Sequence, residues 1–146
     1  MGLVQVDGST KNNVILLNGL QFVPFIDTRP CVPAGERYKA NSRDQLGPHS
    51  LIGYVSDDGI HWKQVRPKPI VPVSLPNNFD SQNTMFFSEA EGRYVLYARH
   101  MVGGRRATAR ATSEDILNWS VQTPMTYSDT GTTAPSQHLY TNQMQP

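Results

Sequence analysis

The sequence predicts an all-β fold built from repeated four-stranded antiparallel meanders, and three observations predict it. A heptapeptide occurs twice: Ser56 to Trp62 reads SDDGIHW and Ser113 to Trp119 reads SEDILNW. Both fit S-[DE]-D-x-[IL]-x-W, start 57 residues apart and carry the only two tryptophans of the chain. A fixed period of this size is the signature of stacked units that bury their faces on one another. Eleven glycines and eleven prolines in 146 residues punctuate the chain with turns and leave little room for long helices. The runs between them are short, rich in β-branched and aromatic residues, and free of a 3.6-residue period.

In chain order, Val14-Ile15-Leu16-Leu17 is short and β-prone, and Asn18-Gly19 is a turn signal. Leu20 to Ile26 follows as a strand whose Pro24, lacking an N–H, suits an edge or a strand end. An irregular loop through Pro30 and Pro33 leads to a strand at Arg37-Tyr38-Lys39-Ala40. Residues 41–50 are polar and broken by Gly47-Pro48. Leu51 to Ser56 is a strong strand candidate, Asp57-Asp58-Gly59 turns, and Ile60 to Val65 returns. Four prolines between Pro67 and Pro76 hold a connector extended and keep it out of a central ladder.

The second unit repeats the plan. Phe79 to Phe87 is a strand entered through a polar cluster, residues 89–92 turn, and Arg93 to Arg99 is a strand. Gly103-Gly104 turns, and Arg105 to Ser113 alternates long or polar with small residues, as a half-exposed strand does. Aligning the units matches Asp27 with Asp80, Arg37-Tyr38 with Arg93-Tyr94, and Ser56 with Ser113. The units span about 20–66 and 77–123, a third begins at about 137–146, and each full unit is the size of a propeller blade. In each heptapeptide the Ser and Asp oxygens are placed to accept backbone N–H bonds, and the Trp to cover a sheet. The competing fold is a β-sandwich, in which Trp62 and Trp119 would not occupy equivalent places.

Composition excludes several functions. A net charge of +1 gives no electrostatic reason for a nucleic-acid or anionic-membrane partner. The single Cys31 rules out an internal disulfide. No run of 18 apolar residues is present, and the N-terminus lacks the basic-then-apolar pattern of a signal peptide. His49, His61, His100 and His138 show no metal-ligand spacing, and no phosphate-loop, dinucleotide or nucleophile-elbow motif appears, so no cofactor is expected.

The blade-closing heptapeptides, the segments Phe79-Asp80-Ser81-Gln82-Asn83 and Gly92-Arg93-Tyr94-Val95-Leu96-Tyr97, and Phe25-Ile26-Asp27-Thr28-Arg29-Pro30 resemble the five-bladed β-propeller glycoside hydrolases, which include invertases, levanases, arabinanases and β-xylosidases. The likeness runs over roughly residues 20–145 and is nearest to bacterial proteins similar to the N-terminal part of the invertase type. It implies a carbohydrate substrate cleaved by carboxylates in a central funnel, and a secreted or periplasmic location. Glycoside cleavage passes through an oxocarbenium-like state that needs one carboxylate to attack or activate water and another to deliver a proton. The resemblance puts Asp27 at the first position and Asp80, which steadies the transition state, at the second. Arg29, Gln82 and Asn83 become substrate-binding candidates, with Arg37 and Arg99 as further arginines that orient the aspartates or bridge blades.

The general acid of the third blade has no counterpart: past Trp119 the only acidic residue is Asp129, and two and a half blades do not close a ring. The chain is therefore expected to be part of a longer one. The plainer alternatives are that Asp27 caps a loop beside Pro30, that Asp80 forms an Asx-type turn with Ser81 and Asn83, and that the domain binds glycan or protein without catalysis.

Overall fold

The computed structural model describes residues 2–44, 50–71, 79–141 and 144. They form two four-stranded antiparallel sheets. The first holds β1 (Leu20–Ile26), β2 (Tyr38–Arg43), β3 (Leu51–Ser56) and β4 (Lys63–Gln64), and the second holds β5 (Thr84–Ser88), β6 (Arg93–Val102), β7 (Arg105–Ser113) and β8 (Thr123–Pro124). In each sheet neighbours in space are neighbours in sequence, the meander read from the sequence. The described part contains no α-helix, only a 3-10 turn at Ala34–Glu36. β1 lies at an edge of its sheet, which is how Pro24 is accommodated opposite Ala40.

The two sheets share one register. Tyr38 faces Ser56 across β2 and β3, and Tyr94 faces Ser113 across β6 and β7. The heptapeptides then repeat the bonds of their serine, aspartate and tryptophan side chains. Ser56 Oγ and Ser113 Oγ lie 3.0 and 3.1 Å from Asp58 Oδ1 and Asp115 Oδ1. Those oxygens accept the backbone amides of Ile60 and His61 at 2.8 Å in the first copy, and of Leu117 and Asn118 at 2.8 and 2.7 Å in the second. The tryptophan indole donates to the Gly59 carbonyl at 3.0 Å and to the Ile116 carbonyl at 2.8 Å. Trp62 and Trp119 thus occupy equivalent places, against the sandwich alternative. Trp62 rests edge-on against Phe22 of its own sheet, 4.9 Å between centroids, and Trp119 packs on the core shared by both sheets.

That core fixes how the sheets meet. Met85, Phe87, Tyr94, Leu96 and Ala98 come from one face of β5 and β6, and Ala111 from β7. They pack with Leu51 of β3 and with Ile70 and Val71 of the connector. The small residues of β7 are the buried phase of its alternation: Ala107, Ala109 and Ala111 are 1–2% exposed. Packing by these aliphatic and aromatic groups is the main favourable term, at about 1.5–3 kcal/mol for each large side chain buried.

The expected elements shift in four places. Val14 to Leu17 forms no strand. The return after the first heptapeptide is only two residues long, because its amides bond to Asp58 rather than to a neighbouring strand. β5 begins at Thr84, five residues later than expected, because residues 79–83 form a turn. The connector does reach the sheet: Leu51 N donates to Val71 O at 3.0 Å, and Ile70 and Val71 are buried. Residues 72–78 lie outside the described part, as do residues 142, 143, 145 and 146 of the expected third unit; residues 137–141 carry no strand.

Candidate functional site

The register corrects the pairing of the two aspartates. Ile26 faces Tyr38 and Phe87 faces Tyr94, so Asp27 corresponds to Ser88 and not to Asp80. Asp27 follows the C-terminal end of β1, whereas Asp80 precedes the N-terminal end of β5. Asp80 bonds to Arg43, whose partner in the ladder is Leu20 at the far end of β1 from Asp27. At about 3.3 Å per residue, the length of β1 separates the two carboxylates by roughly 20 Å. The matched Phe-x-Asp and Asp-bearing segments misled because an acidic residue beside an aromatic strand occurs at either end of a strand.

Asp27 is buried among donors. Its Oδ2 accepts the Tyr94 hydroxyl at 2.6 Å and lies 3.2 Å from Lys39 Nζ, and Arg29 Nη2 approaches it at 3.4 Å. Its Oδ1 accepts the Arg29 amide at 3.1 Å. Lys39, fully buried, also donates to the Glu36 carbonyl at 2.9 Å. Burial, and then the hydrogen bond to Asp27 and the charge it carries, push the Tyr94 hydroxyl far above its usual range, so it stays a donor. A Tyr of the second sheet is thereby tied to a carboxylate of the first. Arg29, expected to bind substrate, stacks its guanidinium over the Tyr94 ring at 5.4 Å and keeps its side chain partly exposed.

Asp80 is the opposite case. Its side chain is half exposed, at 53%, while its two partners are largely covered. Arg43 Nη1 holds Oδ1 at 3.1 Å and Arg99 Nη2 holds Oδ2. One arginine comes from each sheet, so the carboxylate sits across the junction between them. Around it the backbone is strained: Phe79 and Ser81 have φ of 61° and 128°, in the left-handed region that non-glycine residues rarely adopt. Such conformations cost about 1–3 kcal/mol each and cluster at functional sites. Gln82 is exposed beside Asp80, as a ligand-binding group must be.

Asn83 is fully buried and spends its amide on the Phe79 and Ser81 carbonyls, at 3.2 and 2.9 Å. Both donors are used on backbone, and only Oδ1 is left without a protein partner. Next to it lie buried polar atoms without a protein partner: Asn41 Oδ1, Ser81 Oγ, Asn83 Oδ1 and Arg99 Nε. Such atoms are rare in native proteins. Arg43 and Gln21 were missed in the sequence. Gln21 is the one polar residue in the apolar run of β1, and that was the available signal. Arg43 sits in a polar stretch with nothing to single it out.

Among the described residues, no group of three or more His, Cys, Asp or Glu could hold a metal ion, and no helix is long and apolar enough to cross a membrane. No protein-family model and no curated protein matches the chain. Two solved structures are similar to it in part. One is a glycosyl hydrolase from Bacteroides ovatus, 19% identical, covering 61% of this chain and 28% of that one with a TM-score of 0.44. The other is a candidate glycoside hydrolase from Parabacteroides distasonis, 22% identical, covering 61% and 29% with a TM-score of 0.42. The chain thus spans less than a third of the length of each.

Proposed function

We propose that the chain is part of a glycoside hydrolase-like propeller and that Asp80 is the carboxylate it contributes to the carbohydrate site. The observation that carries this reading is the half-exposed Asp80 carboxylate held by Arg43 and Arg99 across the junction of two blade-like sheets. A carboxylate with both oxygens on guanidinium groups is fixed in position and keeps its remaining lone pairs for sugar hydroxyls. It is poorly suited to hand over a proton, so the general acid of such a reaction is a different group. Asp27, buried and saturated with donors, serves the packing of the two sheets rather than the reaction.

The test is release of reducing sugar by this chain from a panel of fructo-, arabino- and xylo-oligosaccharides. Asp80→Asn keeps the shape and removes the charge, and should lower the rate by about 10²–10³-fold, the usual loss for one preorganised electrostatic group. Undiminished release by a folded Asp80→Asn variant would refute the assignment.

A second reading, a glycan-binding module without catalysis, is favoured by one observation: the two predicted catalytic aspartates stand at opposite ends of β1. A glycan array separates the two. Binding that is lost in Asp80→Asn, with no sugar released by the unaltered chain, selects the binder.

A further inference from the structure

We infer that Gln21 and Asn83 are positioning residues that hold the strained turn carrying Asp80, Gln21 reaching it from the first sheet and Asn83 bracing it from within, next to β5. The inference rests on the reading of Asp80 as the functional carboxylate. β1 is interrupted between Leu20 and Val23, where the pairing with β2 skips, and Gln21 there has φ of 54°. A bulge of this kind re-aims a side chain out of the ladder. Gln21 Oε1 uses that freedom to accept the Ser81 amide at 3.1 Å, across the junction. From within, Asn83 donates to the carbonyls of Phe79 and Ser81, the residues flanking Asp80. Asn41 of β2 in turn donates to the Asn83 carbonyl at 3.0 Å.

The arrangement explains why a turn with two left-handed non-glycine residues persists. Phe79 is fully buried, Ser81 nearly so, and their backbone groups are bonded on both sides, while Asp80 between them points outward. Two arginines then need to find its carboxylate in one place, and small displacements of a reacting group cost disproportionately in rate. Gln21, not Gln82, is on this view the glutamine on which the site depends.

The test uses Gln21→Met, which keeps the length and removes the acceptor, and Asn83→Ser as an independent second variant. The readout is slowed guanidinium rotation of Arg99 by arginine side-chain NMR, with Asp80→Asn as the reference for its loss. The pair formed by Arg110 and Glu91 serves as the internal control. Folded Gln21→Met should lose the slowed rotation of Arg99 and keep that of Arg110. In the sugar-release assay on the same oligosaccharide panel, kcat should fall at least about tenfold with KM within about twofold. A folded Gln21→Met protein with Arg99 rotation and kcat unchanged overturns the inference. If the unaltered chain releases no sugar, the NMR readout alone decides it, and only the catalytic reading of Asp80 fails. If Asn83→Ser does not fold, Gln21→Met carries the decision by itself.

Discussion

Replacing Asp115 by alanine tests whether the twice-occurring turn is held by its carboxylate. Four groups bond to Asp115: the Leu117 and Asn118 amides at 2.8 and 2.7 Å, Ser113 Oγ at 3.1 Å and Asn118 Nδ2 at 2.7 Å. Burial raises the Asp115 pKa, but hydrogen bonds, those from Asn118 foremost, outweigh it and bring it down to about 2 from 3.8. A displacement of that size corresponds to roughly 2.5 kcal/mol at 1.36 kcal/mol per unit. Because the side chain is largely in solvent, screening brings the effect to about 1 kcal/mol. Losing an oxygen that caps two amides costs about 0.5–2 kcal/mol by itself, so the two routes agree on about 1–2 kcal/mol. The sign follows from a folded pKa lying below the unfolded one. The contribution is complete above about pH 5 and disappears as pH falls through about 2. Urea unfolding followed by far-UV circular dichroism should give this difference between the unaltered chain and Asp115→Ala at pH 6, narrowing steadily below about pH 5. A difference under about 0.3 kcal/mol at pH 6, or one that stays constant down to pH 2, refutes the reasoning.

Two further substitutions probe the junction of the sheets. Asp27→Asn removes the buried one of the two carboxylates that hold Lys39, leaving the half-exposed Glu36 at 3.2 Å, and should destabilise by about 1–3 kcal/mol in the same urea assay; Asp80→Asn, which takes a half-exposed carboxylate from two largely covered arginines, should cost less. Gly53→Ala puts a methyl 2.9 Å from Ile70 Cγ2 and 3.0 Å from Val65 Cγ2, so overpacking should cost about 1–3 kcal/mol; a neutral result means that Ile70 moves aside freely.

Much of the fold was legible because local chemistry and long-range pairing agree. The heptapeptide set the register from Tyr38 to Ser56 and from Tyr94 to Ser113, and its side chains make the bonds that a turn of that composition makes. The site was less legible. Asp27 and Asp80 are both acidic residues beside aromatic β segments, and sequence carries no mark of which end of a strand faces the junction. Counting back from Tyr94 to Phe87 would have placed Ser88 opposite Asp27, but only once the start of β5 was known, and the turn at residues 79–81 hid it. Gln21 and Arg43 lie more than 35 residues from Asp80 in sequence, and only the packing of one sheet on the other brings them to it. The polarity of Asn83 was visible in the sequence and its burial was not.

The twin turns, alike in the bonds of their aspartates and tryptophans, are anchored differently. The left-handed position is Gly59 in one copy and Ile116 in the other, with φ of 75° and 65°. Glycine takes that conformation without steric cost, whereas a β-branched residue pays for it in strain. Ile116 recovers the loss by burying its side chain in the core, where it is 5% exposed. Opening the second turn therefore means pulling a hydrocarbon group out of the core, worth about 1.5–3 kcal/mol, while the left-handed residue of the first turn has no side chain to withdraw. The first unit closes with a latch that works from the surface, and the second with a bolt driven into the seam between the sheets.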